Sequence, residues 1–133
     1  MQDDEAALAA DTPIAPLDLL VILRHPPHGS SWLREGVDVA LVAAAFGQSV
    51  GLLFQGDGVF ALVEGQRAGP LGQKGTHAQL AMLEMYDIER LWVSASALRA
   101  RGLTPADLML QGQLLEAEAL DRLIHAQPRT LLF

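Results

Sequence analysis

Gly56, Asp57, Gly58 and Ala61 carry the G-x-G-x-x-A spacing of a dinucleotide-binding turn, in which glycines let backbone amides close on a pyrophosphate. The motif normally follows the first strand and opens a full helix. Here the preceding aliphatic run is the second of the chain and Gly65 cuts the helix short, so a tight turn suits these residues better. Lys74, Gly75 and Thr76 hold the residues of a phosphate loop in the wrong order, with the lysine ahead of the glycine. Ser94 and Ser96 stand where a strand meets a helix, but they lack the flanking glycines of a nucleophile elbow and suit helix capping. His25 and His28 flank two prolines, and His77 and His125 fall on separate helices, so no ligand set for a metal is expected. Glu116 and Glu118 are two apart and diverge on a helix, where they favour its positive end instead of forming an acid/base pair. Arg90, Arg99 and Arg101 form a basic cluster suited to a solvated face, an acidic neighbour or an anion at a strand end. Trp32 and Trp92 suit either interface anchors or partly buried core.

The elements that position these residues alternate. Leu17 to Leu23 reads as a buried parallel strand ended by the Pro26-Pro27 turn. Ser30 or Ser31 can cap a helix whose Leu33, Val37, Ala40, Leu41 and Ala44 share a face. Ser49 to Gln55 is a second strand, and Val59 to Val63 one or two helical turns. Six of the twelve glycines lie between Gly56 and Gly75, which predicts a flexible surface loop there. Thr76 and Gln79 have capping-box spacing ahead of a helix from His77 to about Tyr86. Leu91 to Val93 is a third strand, Ser96 to Arg101 a short helical turn, and Leu108 to Leu110 a fourth strand. Glu116 to Gln127 is an amphipathic helix stopped by Pro128, and Thr130 to Phe133 is a last strand. This order predicts one three-layer α/β domain over residues 17–133, with about five parallel strands and helices on both faces. Functional groups then collect beyond the strands' carboxyl ends, at Arg24 to Ser31, Gln55 to Gly58 and Ser94 to Arg99.

Composition bounds the function. The 133 residues are 50% hydrophobic and only 5% aromatic, with mean hydropathy +0.24, which leaves apolar surface to meet another protein. No apolar run approaches the ~18 to 20 residues of a membrane span. The net charge is −7, and from residue 17 onward it is −3, from 12 acidic and 9 basic side chains. Neither value suits direct nucleic-acid binding, which rests on neutralising phosphates. Residues 1–16 read as an acidic, Ala-rich extension without the basic start of a secretory signal, and cytoplasmic residence is the expectation. The chain has no cysteine, which excludes disulfides and thiolate metal sites.

Pro27-His28-Gly29, Arg34-Glu35-Gly36-Val37-Asp38 and Asp57-Gly58-Val59-Phe60 occur in order, followed by Tyr86-Asp87-Ile88-Glu89, Trp92-Val93 and Ala97-Leu98-Arg99-Ala100-Arg101-Gly102-Leu103. With Leu115 to Leu120 and the closing Leu131-Leu132-Phe133, they make the chain from about Leu17 to Phe133 resemble the TusC/DsrF family. Only the first 16 residues and the Gln66 to Gly75 loop look unlike it.

The resemblance implies a parallel, DsrE/F-like α/β sheet in a TusBCD or DsrEFH assembly with two copies of each of three related subunits. Its partners would be TusB-like and TusD-like subunits, and indirectly TusA-like and TusE-like sulfur carriers, without cofactor, metal, membrane or direct nucleic-acid contact. Such complexes pass persulfide sulfur between carriers, toward 2-thiouridine at the tRNA wobble position in the Tus system and toward sulfur oxidation in Dsr systems. The resemblance places the sulfur-carrying cysteine on the TusD/DsrE subunit, at a position corresponding to Val93 or Ser94 here. Holding sulfane sulfur needs a thiolate, and no side chain of this sequence supplies one. The expected role is therefore a surface, with His28, Gly29, Trp32, Arg34, Asp57 and Gly58 as candidate interface or strand-end residues. Phe60, Trp92, Ser94 and Arg99 complete that set. The competing expectations are a stand-alone nucleotide-binding or other small-molecule domain using Gly56 to Ala61, and a hydrolase using Ser94 or Ser96.

Overall fold

The computed structural model describes residues 16–63 and 76–133, the side chains of Thr76 and His77 excepted. Five parallel strands run β1 (Leu19–Leu23), β2 (Val50–Phe54), β3 (Arg90–Ser94), β4 (Gln113–Leu115) and β5 (Thr130–Leu132). The helices are α1 (Trp32–Ala45), α2 (Thr76–Leu80), α3 (Ala95–Ala100) and α4 (Ala117–Ala126). Among the described residues, no helix is long and apolar enough to cross a membrane.

Sheet order is β4-β3-β2-β1-β5. The chain steps in one direction from β1 to β4, then returns to the far side of β1. Right-handed crossovers put connections that step one way on one face and a connection that steps back on the other. The packing follows this rule. Leu19, Val21 and Leu23 of β1 and Leu52 and Phe54 of β2 pack beneath Leu33, Val37, Leu80 and Leu98, which come from α1, α2 and α3. Leu20, Ile22, Leu53 and Trp92 face the other way, onto Ala119, Leu120 and Leu123 of α4. The molecule is thus the expected three-layer α/β sandwich, with α4 as the one described helix on its second face.

Several elements differ from the sequence expectation. Leu108 to Leu110 is not a sheet strand: a 3₁₀ turn at Pro105–Asp107 precedes it, and Leu108 makes only an antiparallel bridge to Val63. The fourth strand begins at Gln113, after Gly112, where a Cβ would stand 2.8 Å from Val93. Leu108, Met109 and Leu110 instead pack against the first-face core. A run of three apolar residues cannot distinguish a strand from a loop that covers a core. The helix expected from His77 to Tyr86 stops as α2 at Leu80, followed by a 3₁₀ turn, Glu84–Tyr86, that ends at Asp87 with φ 61°. The Gln79 amide does not serve a capping box but donates to the Arg34 carbonyl, at 3.0 Å, and to the Asp38 carboxylate, tying α2 to α1. The Thr76 side chain, His77 and the Gln66 to Gly75 loop lie outside the described residues, as does residue 1–15 of the acidic extension.

Candidate functional site at the carboxyl edge of the sheet

The carboxyl ends of the strands gather most of the polar residues singled out above. β3 leads into α3 on the first face, whereas β4 leads into α4 on the second, so the boundary between their ends is the topological switch point of the sheet. Such a switch point is where ligands and reacting groups sit in open α/β sheets. Ser94 stands there, 4% exposed, as the N-cap of α3. Its Oγ accepts from the Ala97 amide at 3.1 Å and lies 3.2 Å from Ser96 Oγ. Capping a helix and bonding a second hydroxyl account for this side chain, and no described base stands beside it to activate it as a nucleophile.

At the same switch point, the exposed Arg99 of α3 donates from its two terminal nitrogens to both oxygens of Glu116, at 3.0 and 2.8 Å. Glu116 is the residue ahead of α4, so the pair joins the two helices that leave the sheet on opposite faces. The hydrogen bonding holds the Arg99 guanidinium above, and the Glu116 carboxyl below, its ordinary range. The sequence reading gave Glu116 to the helix dipole alone. A contact between residues 17 positions apart has no local sequence signal.

At the end of β2, Gly56, Asp57 and Gly58 open a 3₁₀ turn, Gly56–Leu62. Gly58 must be a glycine, because a Cβ there would lie 2.1 Å from the Leu23 carbonyl oxygen. The glycine spacing therefore serves a close approach to β1, in agreement with the tight-turn reading. Asp57 pairs with Arg101, whose Nη2 is 2.9 Å away, and the guanidinium carbon lies 6.0 Å from the centre of the Phe60 ring. The expected arginine cluster is dispersed: Arg90 starts β3 at the opposite end of the sheet, while Arg99 and Arg101 each hold a different acid. Both acids belong to this chain.

At the end of β1, Trp32 is 49% exposed and stacks on His25 with ring centres 5.4 Å apart. Phe133 closes the corner at 6.5 Å. His28 and Gly29 lie exposed in the intervening loop, with Gly29 at φ 93°. Ser31 precedes α1 but gives its amides no side-chain cap, donating instead to Glu35 at 2.6 Å. Arg34 is partly buried and joins the contact with α2 through its carbonyl. Trp92 is separated from all of these. At 6% exposure it fills the second-face core over Gly51, so it is not a surface anchor. Alternation along β3 sends Leu91 and Val93 to the first face and Trp92 to the second, where α4 covers it, and neither tryptophan's neighbours in sequence reveal that.

The DsrE/DsrF-like family model matches residues 18–133, the whole described sheet. The Protein TusC homolog of Vibrio parahaemolyticus is 36% identical over 86% of this chain and 98% of its own length. That of Pseudomonas aeruginosa is 42% identical over 80% and 89%. Protein TusC of Escherichia coli O157:H7 is 39% identical over 72% and 82%. The crystal structure of the ychN protein from E. coli superposes with a TM-score of 0.76 at 17% identity, over 87% of this chain and 98% of that one, which is a likeness of fold. A family match along the entire sheet, with TusC relatives alignable nearly end to end, means that this chain belongs to the DsrE/DsrF-like family, among the relatives of TusC.

Proposed function

We propose that the chain is a non-catalytic subunit of a cytoplasmic sulfur-relay complex, one that passes persulfide sulfur between carrier proteins toward 2-thiouridine at the tRNA wobble position. One observation carries the reading: the switch point of the sheet, where this fold presents reacting groups, holds a buried serine engaged in capping, in a chain with no thiol. Sulfane transfer proceeds by attack of a thiolate and storage as an S–S bond, and a neutral hydroxyl does neither. The subunit then acts through its surface, docking TusB-like and TusD-like relatives and bordering the path by which TusA-like and TusE-like carriers reach the loaded cysteine of the TusD-like subunit. The end-to-end similarity to TusC proteins supports this place in the assembly.

Co-expression with the TusB-like and TusD-like neighbours, followed by size-exclusion chromatography with light scattering, is expected to recover all three in one hetero-oligomer. Intact-mass analysis after exposure to a persulfide donor is expected to show sulfur on the TusD-like chain and none on this one. Recovery of this chain only as a free monomer, or covalent sulfur on it, would overturn the proposal.

A further inference from the structure

β5 is an edge strand of three residues with β1 on one side and no described element on the other. Arg129 and Phe133 turn their carbonyls to β1, accepting from Leu20 at 3.0 Å and Arg24 at 2.7 Å, and Phe133 donates back to Ile22 at 2.8 Å. Strand alternation therefore leaves the N–H and C=O groups of Thr130 and Leu132 on the open side. Natural edges are commonly blunted by inward-pointing charge, proline or a covering loop. This one instead carries Leu131 and Leu132, 40% and 49% exposed. Beyond its far end stands the half-exposed Trp32 against Phe133.

Charge points to the occupant. Arg129 precedes β5, and the Arg24 amide bonds to Phe133 just beyond it, so an exposed arginine flanks each end of the strand. Neither forms an ion pair with a described residue, in a protein of net charge −7. An apolar edge bracketed by two cations is complementary to an extended segment that is apolar in the middle and acidic at both ends.

We propose that the open edge of β5 receives such a segment from a partner polypeptide, which adds a strand by pairing with Thr130 and Leu132 and sets carboxylates against Arg24 and Arg129. The inference rests on the reading of this chain as a subunit and identifies the surface by which a neighbour is held. Thr130→Pro removes an outward donor without touching a bond to β1, and the double variant R24E/R129E reverses both charges. Met85→Lys, at an exposed residue outside β5, is the control.

With the TusB-like and TusD-like proteins co-expressed, each edge variant is expected to bind at least tenfold more weakly than the wild type, while M85K binds normally. Circular dichroism of the isolated chains verifies folding. Amide hydrogen exchange at Thr130 and Leu132 is expected to be fast in the isolated chain and slowed at least tenfold in the complex. If the wild type assembles and the edge variants assemble equally well, or if these amides still exchange fast in the complex, the proposal falls while the subunit reading stands. If the wild type does not assemble, both fall. Protection already present in the isolated chain and lost on deleting residues 1–15 would assign the edge to the chain's own acidic segment, and would equally overturn it.

Discussion

Arg99 and Glu116 show how little of a site can rest on a residue's immediate sequence. The arginine lies in the last turn of a six-residue helix and the glutamate precedes another, yet they meet in a two-bond pair at the switch point. Exposed ion pairs add little to stability, so this contact matters for geometry more than for folding energy. Hydrogen bonding from Arg99 lowers the folded-state pKa of Glu116. The small stabilisation it provides is therefore present above the ordinary carboxylate range and is lost as pH falls through the lowered value. In an NMR titration, the Glu116 carboxyl is expected to titrate below the ordinary carboxylate range and to move back up in Arg99→Gln. Identical titration in both proteins would show that the pair does not form. Ser94 was legible at this scale, because a serine between a strand and a short helix has one common use. Trp92 was not, because an aromatic on a strand is compatible with either face until the neighbouring strand is known.

Among elements, α4 has the most concentrated task. Among the described helices it alone covers the second face of the sheet, and Leu123, fully buried there, meets Leu20, Ile22 and Leu53 within one cluster. No other described helix can close over a void left beneath it. Leu123→Ala is expected to cost about 2 to 5 kcal/mol in urea unfolding, the range for leucine deletions that leave unrelaxed cavities. A loss under about 1 kcal/mol would mean that α4 settles onto the sheet and that the second face is loosely packed. The sequence showed this helix clearly, through its apolar stripe and the proline after it. The same reasoning misplaced the fourth strand. Leu108 to Leu110 is more apolar than Gln113 to Leu115, but hydrogen bonding to β3 and the space available at Gly112 select the latter.

For the whole molecule, long-range bonding among the described residues reaches back to Leu17. The Leu17 amide donates to the buried side-chain oxygen Oε1 of Gln127 at 2.7 Å, linking the entry to β1 with the exit from α4. Removal of residues 1–15 is accordingly expected to change unfolding free energy by less than about 1 kcal/mol, whereas removal through Leu17 should cost more. A large loss from the shorter deletion, measured by thermal unfolding, would place part of the stabilising structure within those first residues. The linear pattern by itself determined the alternation of elements, the carboxyl-edge location of the polar residues and the lack of thiol chemistry, because periodicity, turn residues and composition act locally or need no geometry. Tertiary structure alone decided which acid holds which arginine, which tryptophan is covered, and that β5 rather than β4 presents exposed leucines at an open edge. Those outcomes depend on strand order and crossover direction, which bring together residues far apart in the chain, and no local propensity encodes such distances.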